Sequence, residues 1–282
     1  MEVTSDERPS PIAGLWYEGN PSQLALQIED YLAAAYVPTV EGEIIGLVAP
    51  HAGHLYSGST AAYAYRTVMD RTFDVVAVVS PLHKYFPAPV LTSAHLYYRT
   101  PLGNIQVDRE GLELLNIFLG DEEPLRLTPI ANDDEHSVEI QLPFLQRALD
   151  GPFELMPIMV RRRDARMAQV LGTALARTLA GRRALLVAST DLSHFYSVQV
   201  ANRLDAEMLR QIESFSPEGV LQAEEEGSGF ACGVAAVAAV LHAARLLGAT
   251  DVSILRYSTS ADQTGDYGSV VGYGAAAIYK RN

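Results

Sequence analysis

Three short apolar runs constrain the fold of this 282-residue chain more than any other feature. They are residues 43–49 (EIIGLVA), 73–80 (FDVVAVVS) and 184–189 (ALLVAS). Each is short, rich in β-branched residues and apolar at consecutive positions. Such runs read as strands buried on both faces, the pattern of a parallel sheet covered by helices. Helical stretches alternate with them, so the expected fold class is α/β, a mostly parallel central sheet flanked by helices. A histidine follows each run within two to five residues: Pro50-His51, Pro81-Leu82-His83 and Thr190-Asp191-Leu192-Ser193-His194. In open α/β sheets ligands bind beyond the carboxyl ends of the strands. If the three strands are parallel and adjacent, His51, His83 and His194 face one crevice.

The rest of the chain fits one domain spanning 1–282, with 1–15 as a polar N-terminal extension; no repeat and no Gly/Ser/Pro-rich linker divides it. Helices are expected at 21–35, capped by Asn20 with Pro21 in the first turn, and at 58–69, 109–119, 165–179, 198–214, 217–225 and 229–247. A further helix over 137–149 would be capped by Ser137 and kinked by Pro143, which cannot donate to the Glu139 carbonyl. Strands are expected at 153–160, 252–257 and 270–279, with 90–92 and 96–99 as a hairpin-like excursion. No apolar run reaches the roughly 18–20 residues a membrane span needs, and the charged start MEVTSDERPSP lacks the apolar stretch of a signal peptide. A cytoplasmic protein is expected. Its single cysteine, Cys232, excludes an internal disulfide and a cysteine-based zinc cluster. The net charge of −13 disfavours nucleic acid and anionic membranes as partners.

Imidazoles suit borderline metals such as iron, copper and zinc, and two histidines with one carboxylate form the ligand set of non-haem iron oxygenases. Candidate carboxylates are Asp191, Asp262, Asp266 and the cluster Asp133-Asp134-Glu135 beside His136. That cluster either caps a helix and complements its dipole, or carries Glu135 and His136 into the crevice as acid/base or supporting groups. His95 and His242 read as structural or exposed. Gly53 and Gly58 allow close backbone approach or positive φ, and the helix after them would aim its first amides at the crevice as an anion site. No phosphate-loop spacing is present, and neither Ser137 nor Ser193 sits in a nucleophile elbow. Lys84 could meet an acidic substrate or simply be solvated.

Taken together, A-P-H51-A-G-x-x-Y-S-G, P-L-H83, D-D-E-H136-S-V-E-I-Q-L-P-F, S-T-D191-L-S-H194, Ala231-Cys232-Gly233 and S-A-D262-x-T-G-D266-Y resemble the Memo family, also called AmmeMemoRadiSam system protein B. The motifs run in order over residues 40–280. The resemblance implies the fold of class III extradiol ring-cleavage (LigB-like) dioxygenases, which are non-haem iron enzymes, and a family metal site of two histidines and a cysteine. His51 and His83 match the histidines. The cysteine position falls near Asp262-Gln263, and Cys232 belongs to a different motif. His194 matches the dioxygenases' acid/base histidine, accompanied by Asp191. The family also implies a pathway link to radical-SAM and AMMECR1-like proteins.

The leading expectation is a metal-dependent, dioxygenase-like oxidoreductase. It would hold a divalent metal, iron(II) first and copper or zinc as alternatives, on His51, His83 and Asp262. Gln263, His194 or water are the other options for the third position. His194, Asp191 and His136 would be the catalytic groups, acting on a small-molecule or peptide ligand. The alternative is a non-catalytic protein that keeps the pocket and binds a metabolite or peptide. A zinc hydrolase is a third reading, without an H-E-x-x-H motif to support it.

Overall fold

A computed structural model describes residues 5–37 and 40–281. In chain order the strands are β1 (Glu7–Arg8), β2 (Gly42–Ala49), β3 (Val75–Pro81), β4 (Val90–Ser93), β5 (Tyr97–Thr100), β6 (Gly103–Gln106), β7 (Thr128–Ile130), β8 (Glu154–Val160), β9 (Ala184–Ser189), β10 (His194–Tyr196), β11 (Asp251–Thr259) and β12 (Val270–Arg281). The helices are α1 (Pro21–Ala34), α2 (His54–Arg66), α3 (Arg109–Glu122), α4 (Leu142–Ala148), α5 (Ala165–Leu179), α6 (Val198–Glu213), α7 (Pro217–Glu225), α8 (Val234–Leu246) and the short α9 (Ala261–Thr264).

The large sheet runs β10-β12-β2-β9-β3-β8-β4-β7, with β11 paired to β12. Its centre, β2, β9, β3 and β8, is parallel, while β12 and β4 flank it in antiparallel sense. The expected α/β architecture is therefore present. All seven residues of β3 are buried, which is why its sequence is an unbroken apolar run instead of an alternating one. β9 enters between β2 and β3, although it follows both in the chain. The strand ends that precede His51, His194 and His83 thus become neighbours.

Several local expectations change. Segments 90–93 and 97–100 do not pair as a hairpin. β4 joins the large sheet against β8 and β7, whereas β5 joins a separate small sheet between β1 and β6. Pro143 kinks nothing. A 3₁₀ turn over Glu139–Gln141 precedes α4, and Pro143 sits in α4's first turn, where its missing N–H has no helical partner to lose. Ser137 is not a cap, because its hydroxyl donates to the Pro81 carbonyl at the end of β3. Gly58 has an ordinary backbone; a Cβ there would stand 2.7 Å from the Tyr31 ring, so it is glycine because α1 and α2 pack closely. α8 starts at Val234, leaving Cys232 in the turn before it.

Of the expected extension 1–15, residues 1–4 lie outside the described residues, and the remainder is built into the fold. Arg8 is 1% exposed. Its guanidinium lies 2.6 Å from Glu139 and 2.7 Å from Asp133, donates to the Glu135 carbonyl at 2.7 Å, and stacks 4.8 Å over the Tyr98 ring. Ser10 and Tyr17 both donate to the other Glu139 oxygen. This network ties the N-terminal strand to the loop that carries Glu135 and His136. Removing one member of a buried ion group strands the others, at a cost of about 3–5 kcal/mol. Arg8→Met should lower unfolding stability by that amount in urea titration, and a loss under about 1 kcal/mol would show that the network does not hold the loop.

Candidate metal centre

His51 stands two residues beyond β2, His83 two residues beyond β3, and His136 in the loop before α4. Their donor atoms all lie within 4.8 Å of one another, so the three could hold a divalent metal ion. The His83 and His136 rings stack at 4.7 Å, and His51 meets both edge-on at 5.3 Å.

The hydrogen bonds around the rings set which nitrogen each presents. Ser189 donates its hydroxyl proton to the Ser137 carbonyl at 2.6 Å, so its oxygen accepts from His51 Nδ1 at 3.0 Å. Gln141 holds the same oxygen from the other side at 2.8 Å. His83 Nδ1 donates to Glu135 Oε1 at 2.9 Å, and His136 Nδ1 faces the same oxygen at 3.3 Å. The Nδ1 atoms of His51 and His83 are hydrogen-bonded and that of His136 faces the Glu135 carboxylate, which leaves the Nε2 side of each ring for a metal. Anchoring of the far ring nitrogen by a carboxylate or hydroxyl is the usual support of a metal-binding histidine, and the residues present fit a metal on this ground.

Electrostatics separate the three. Burial, reinforced by repulsion from His136 and His83, drives the His51 pKa well below its ordinary value. Burial likewise lowers His136, to about 4. Burial also pulls His83 down, but its hydrogen bond to Glu135 and that residue's charge outweigh it, and the net shift is upward. Glu135 is itself buried, which would raise its pKa, yet the His83 hydrogen bond and the imidazole charges hold it well below the carboxylate range. It stays ionised.

Cys232, set aside on sequence grounds, lies against the same centre. Its Sγ is 3.1 Å from His51 Nε2 and accepts from the Asp191 N–H at 3.2 Å. Gly233 makes this possible: a Cβ there would lie 2.5 Å from the Ser189 carbonyl oxygen, so only glycine lets the turn press against the end of β9. Burial first, then the Asp191 charge, pushes the thiol's pKa far up. Asp262, by contrast, is exposed on α9, and Gln263 beside it is exposed as well.

Asp191 is 4% exposed and accepts from the backbone N–H groups of His51 at 2.7 Å and Ala52 at 3.2 Å. It shapes the turn that carries His51. Burial raises its pKa to about 7, against the pull of those two hydrogen bonds. His194 donates Nδ1–H to the Leu192 carbonyl at 2.8 Å, leaving Nε2 as its basic atom, and burial keeps the ring's pKa low. Its ring packs edge-on against Phe230 at 5.8 Å.

Trp16 had no signal in the sequence. Its ring lies 4.1 Å from that of His136, tilted by 34°, and its carbonyl accepts the His54 N–H at 2.8 Å. That bond takes up the first amide of α2, which the sequence pointed to as part of an anion site. His54 is buried with Nε2 3.0 Å from the Ile140 carbonyl. His95 is buried between the Ser5 carbonyl and the Asn132 amide, and His242 lies beside Thr173. None of these three joins the group of His51, His83 and His136. Lys84 pairs with Asp134.

The Memo-like protein family model matches residues 8–277. A MEMO1 family protein of Methanosarcina mazei is 35% identical over 240 residues, covering 84% of this chain and 87% of its own length. One from Nitrosopumilus maritimus is 32% identical, covering 95% and 98%, and one from Methanopyrus kandleri 33%, covering 98% and 99%. Among the described residues no helix is long and apolar enough to cross a membrane. With the histidine-bearing strand ends, the 133–139 loop and the Ala231–Gly233 turn all inside the matched span, this chain belongs to the Memo family.

Proposed function

We propose that the chain is a metal-dependent oxidoreductase that holds one divalent metal, iron(II) in its working form, on His51, His83 and His136, with the Cys232 sulfur beside them. The observation that carries this reading is the convergence of one ring nitrogen from each of three histidines within 4.8 Å, two of the rings being held by a hydrogen bond at Nδ1. Three imidazoles would also accept copper or zinc; a neighbouring sulfur adds softness to the set. When bound, such a metal supplies Lewis acidity and, for iron or copper, one-electron chemistry.

The chain's own groups do the rest. Glu135 orients two of the imidazoles and Asp191 the turn of the third. His194, neutral with a free Nε2, would take a proton from a bound small molecule and return it. Trp16 covers His136 and Phe230 covers His194, which keeps water from one face of each ring.

The chain has one tryptophan, so its emission reports on the His136 face alone. Anaerobic addition of iron(II) should quench Trp16 to an endpoint of about one metal per chain. His51→Ala and His83→Ala should each weaken binding by at least about tenfold; if both bind iron as wild type does, the assignment fails. Oxygen uptake that depends on an added organic substrate would then establish turnover.

Glu135→Gln removes the charge that fixes two rings. Loss of such a supporting partner typically costs 10–100-fold in metal affinity, and unchanged affinity on isothermal titration would remove Glu135 from the site.

The pH dependence follows from His83. Only neutral imidazole binds metal, and His83 has the upward-shifted pKa of the three. As pH falls through its pKa, above 6.5, affinity should drop about tenfold per pH unit. Coordination by the Cys232 thiolate would add a second proton to that slope and extend it above neutrality. Affinity independent of pH between 5 and 7 would contradict the ligand set.

A further inference from the structure

Beside the imidazoles lies a cavity of about 260 Å³, walled by Pro81, Leu82, His83 and Cys232 on one side and by Val160, Arg161, Arg163, Phe230 and the start of α8 on the other. It is the space through which a ligand would reach His83 and Cys232. For scale, pockets for drug-sized ligands run roughly 300–1,000 Å³. This one has room for a metabolite and none for a folded peptide segment.

Its charge differs from that of the molecule. The chain carries −13 overall, yet both charged side chains on the far wall are arginines. Arg163 is compensated by Glu224 and donates to the Ala231 carbonyl at 3.3 Å. Lys84, the nearby cation of the His83 loop, is paired with Asp134. Arg161 is different. Among the described residues no carboxylate pairs with it. Its guanidinium is held by the carbonyls of Leu82, at 3.5 Å, and Lys84, and by the face of Tyr85 at 5.1 Å. Carbonyls and a ring face orient a guanidinium without neutralising it. The group is fixed over the loop that carries His83, with donors still available to an anion. Ala235 and Ala236, in the first turn of α8, bring the positive end of that helix to the same wall.

We propose that this cavity reads the substrate's charge: Arg161 takes the carboxylate of a small organic acid whose other end reaches the metal position at His83. Phe230 provides the apolar face along which the body of that molecule lies. The identification rests on the metal-centre reading for the role of the second end, but the anion contact does not need the metal. A guanidinium suits a carboxylate because two parallel N–H donors match its two oxygens. Residues on β8's exit thus select the substrate, while residues on the exits of β2 and β3 act on it.

Benzoate and benzamide test this, since they match in shape and differ in charge. Both are titrated by ligand-observed NMR into metal-free and cobalt(II)-loaded full-length protein. Benzoate should bind at least about tenfold more tightly than benzamide in both forms. Cobalt should broaden the benzoate proton signals, placing the ligand next to the metal. Arg161→Gln should abolish the benzoate preference in the metal-free protein, and Arg161→Lys should retain part of it. Equal binding of the two probes by the wild-type protein overturns the proposal, as does a metal-free preference that survives Arg161→Gln. Should Arg161→Gln fail to fold, the wild-type comparison and Arg161→Lys still decide. If cobalt does not load, the metal-centre reading fails, and the metal-free comparison judges the anion pocket by itself.

Discussion

The carboxylate of Glu135 accepts from four N–H groups on three residues. Oε2 takes the His83 backbone N–H at 2.6 Å, and Oε1 takes His83 Nδ1 at 2.9 Å and the N–H groups of His136 and Ser137 at 3.0 Å. A carboxylate has about four lone-pair sites, and four donors meet this one, three of them crowded on Oε1. The group is nearly buried, so it would be costly to ionise without those donors. It joins two segments 52 residues apart, the exit of β3 and the loop before α4, and so brings together two imidazoles that the sheet alone would not have paired. The third imidazole comes from the exit of β2. Its ring is set by Ser189 at the end of β9, through an oxygen that Gln141 also holds.

The loop that carries Glu135 has its own support. Arg8 grips it from the N-terminal strand through Asp133, Glu139 and the Glu135 carbonyl, and Trp16 covers His136. The segment from Arg8 to Tyr17 is therefore part of the site's wall. Stability and function meet in this network: a buried ion group is an expensive way to stabilise a fold, but it allows very few arrangements of the loop it holds.

What the sequence revealed follows what is local. Buried parallel strands announce themselves as apolar runs, and the rule of ligand placement beyond strand ends led directly to His51, His83 and His194. Asn20 capping α1 is equally local, and the structure confirms it through bonds to Ser22 and Gln23. Long-range partnerships were less legible. Glu135 looked as much like a helix-dipole residue as a supporting carboxylate, because its partner lies 52 positions away. Arg8 sat in the stretch 1–15, read as a polar extension, and Trp16 just beyond it belonged to no motif. Cys232 was set aside in favour of Asp262. The signal that could have recovered it was Gly233, a glycine just before a long Ala/Val helix, where backbone must pass close to backbone. Asp262 lies in a loop rich in small polar residues, which marks a loop but says nothing of where it points.

The central claim is that three imidazoles, two of them anchored from behind, form one metal site. Metal-edge X-ray absorption of the iron(II)-loaded protein tests it most directly. The account predicts imidazole multiple scattering from three rings, reduced by one ring in His136→Ala. A first shell of oxygen donors without imidazole scattering, or a spectrum unchanged in His136→Ala, would contradict it.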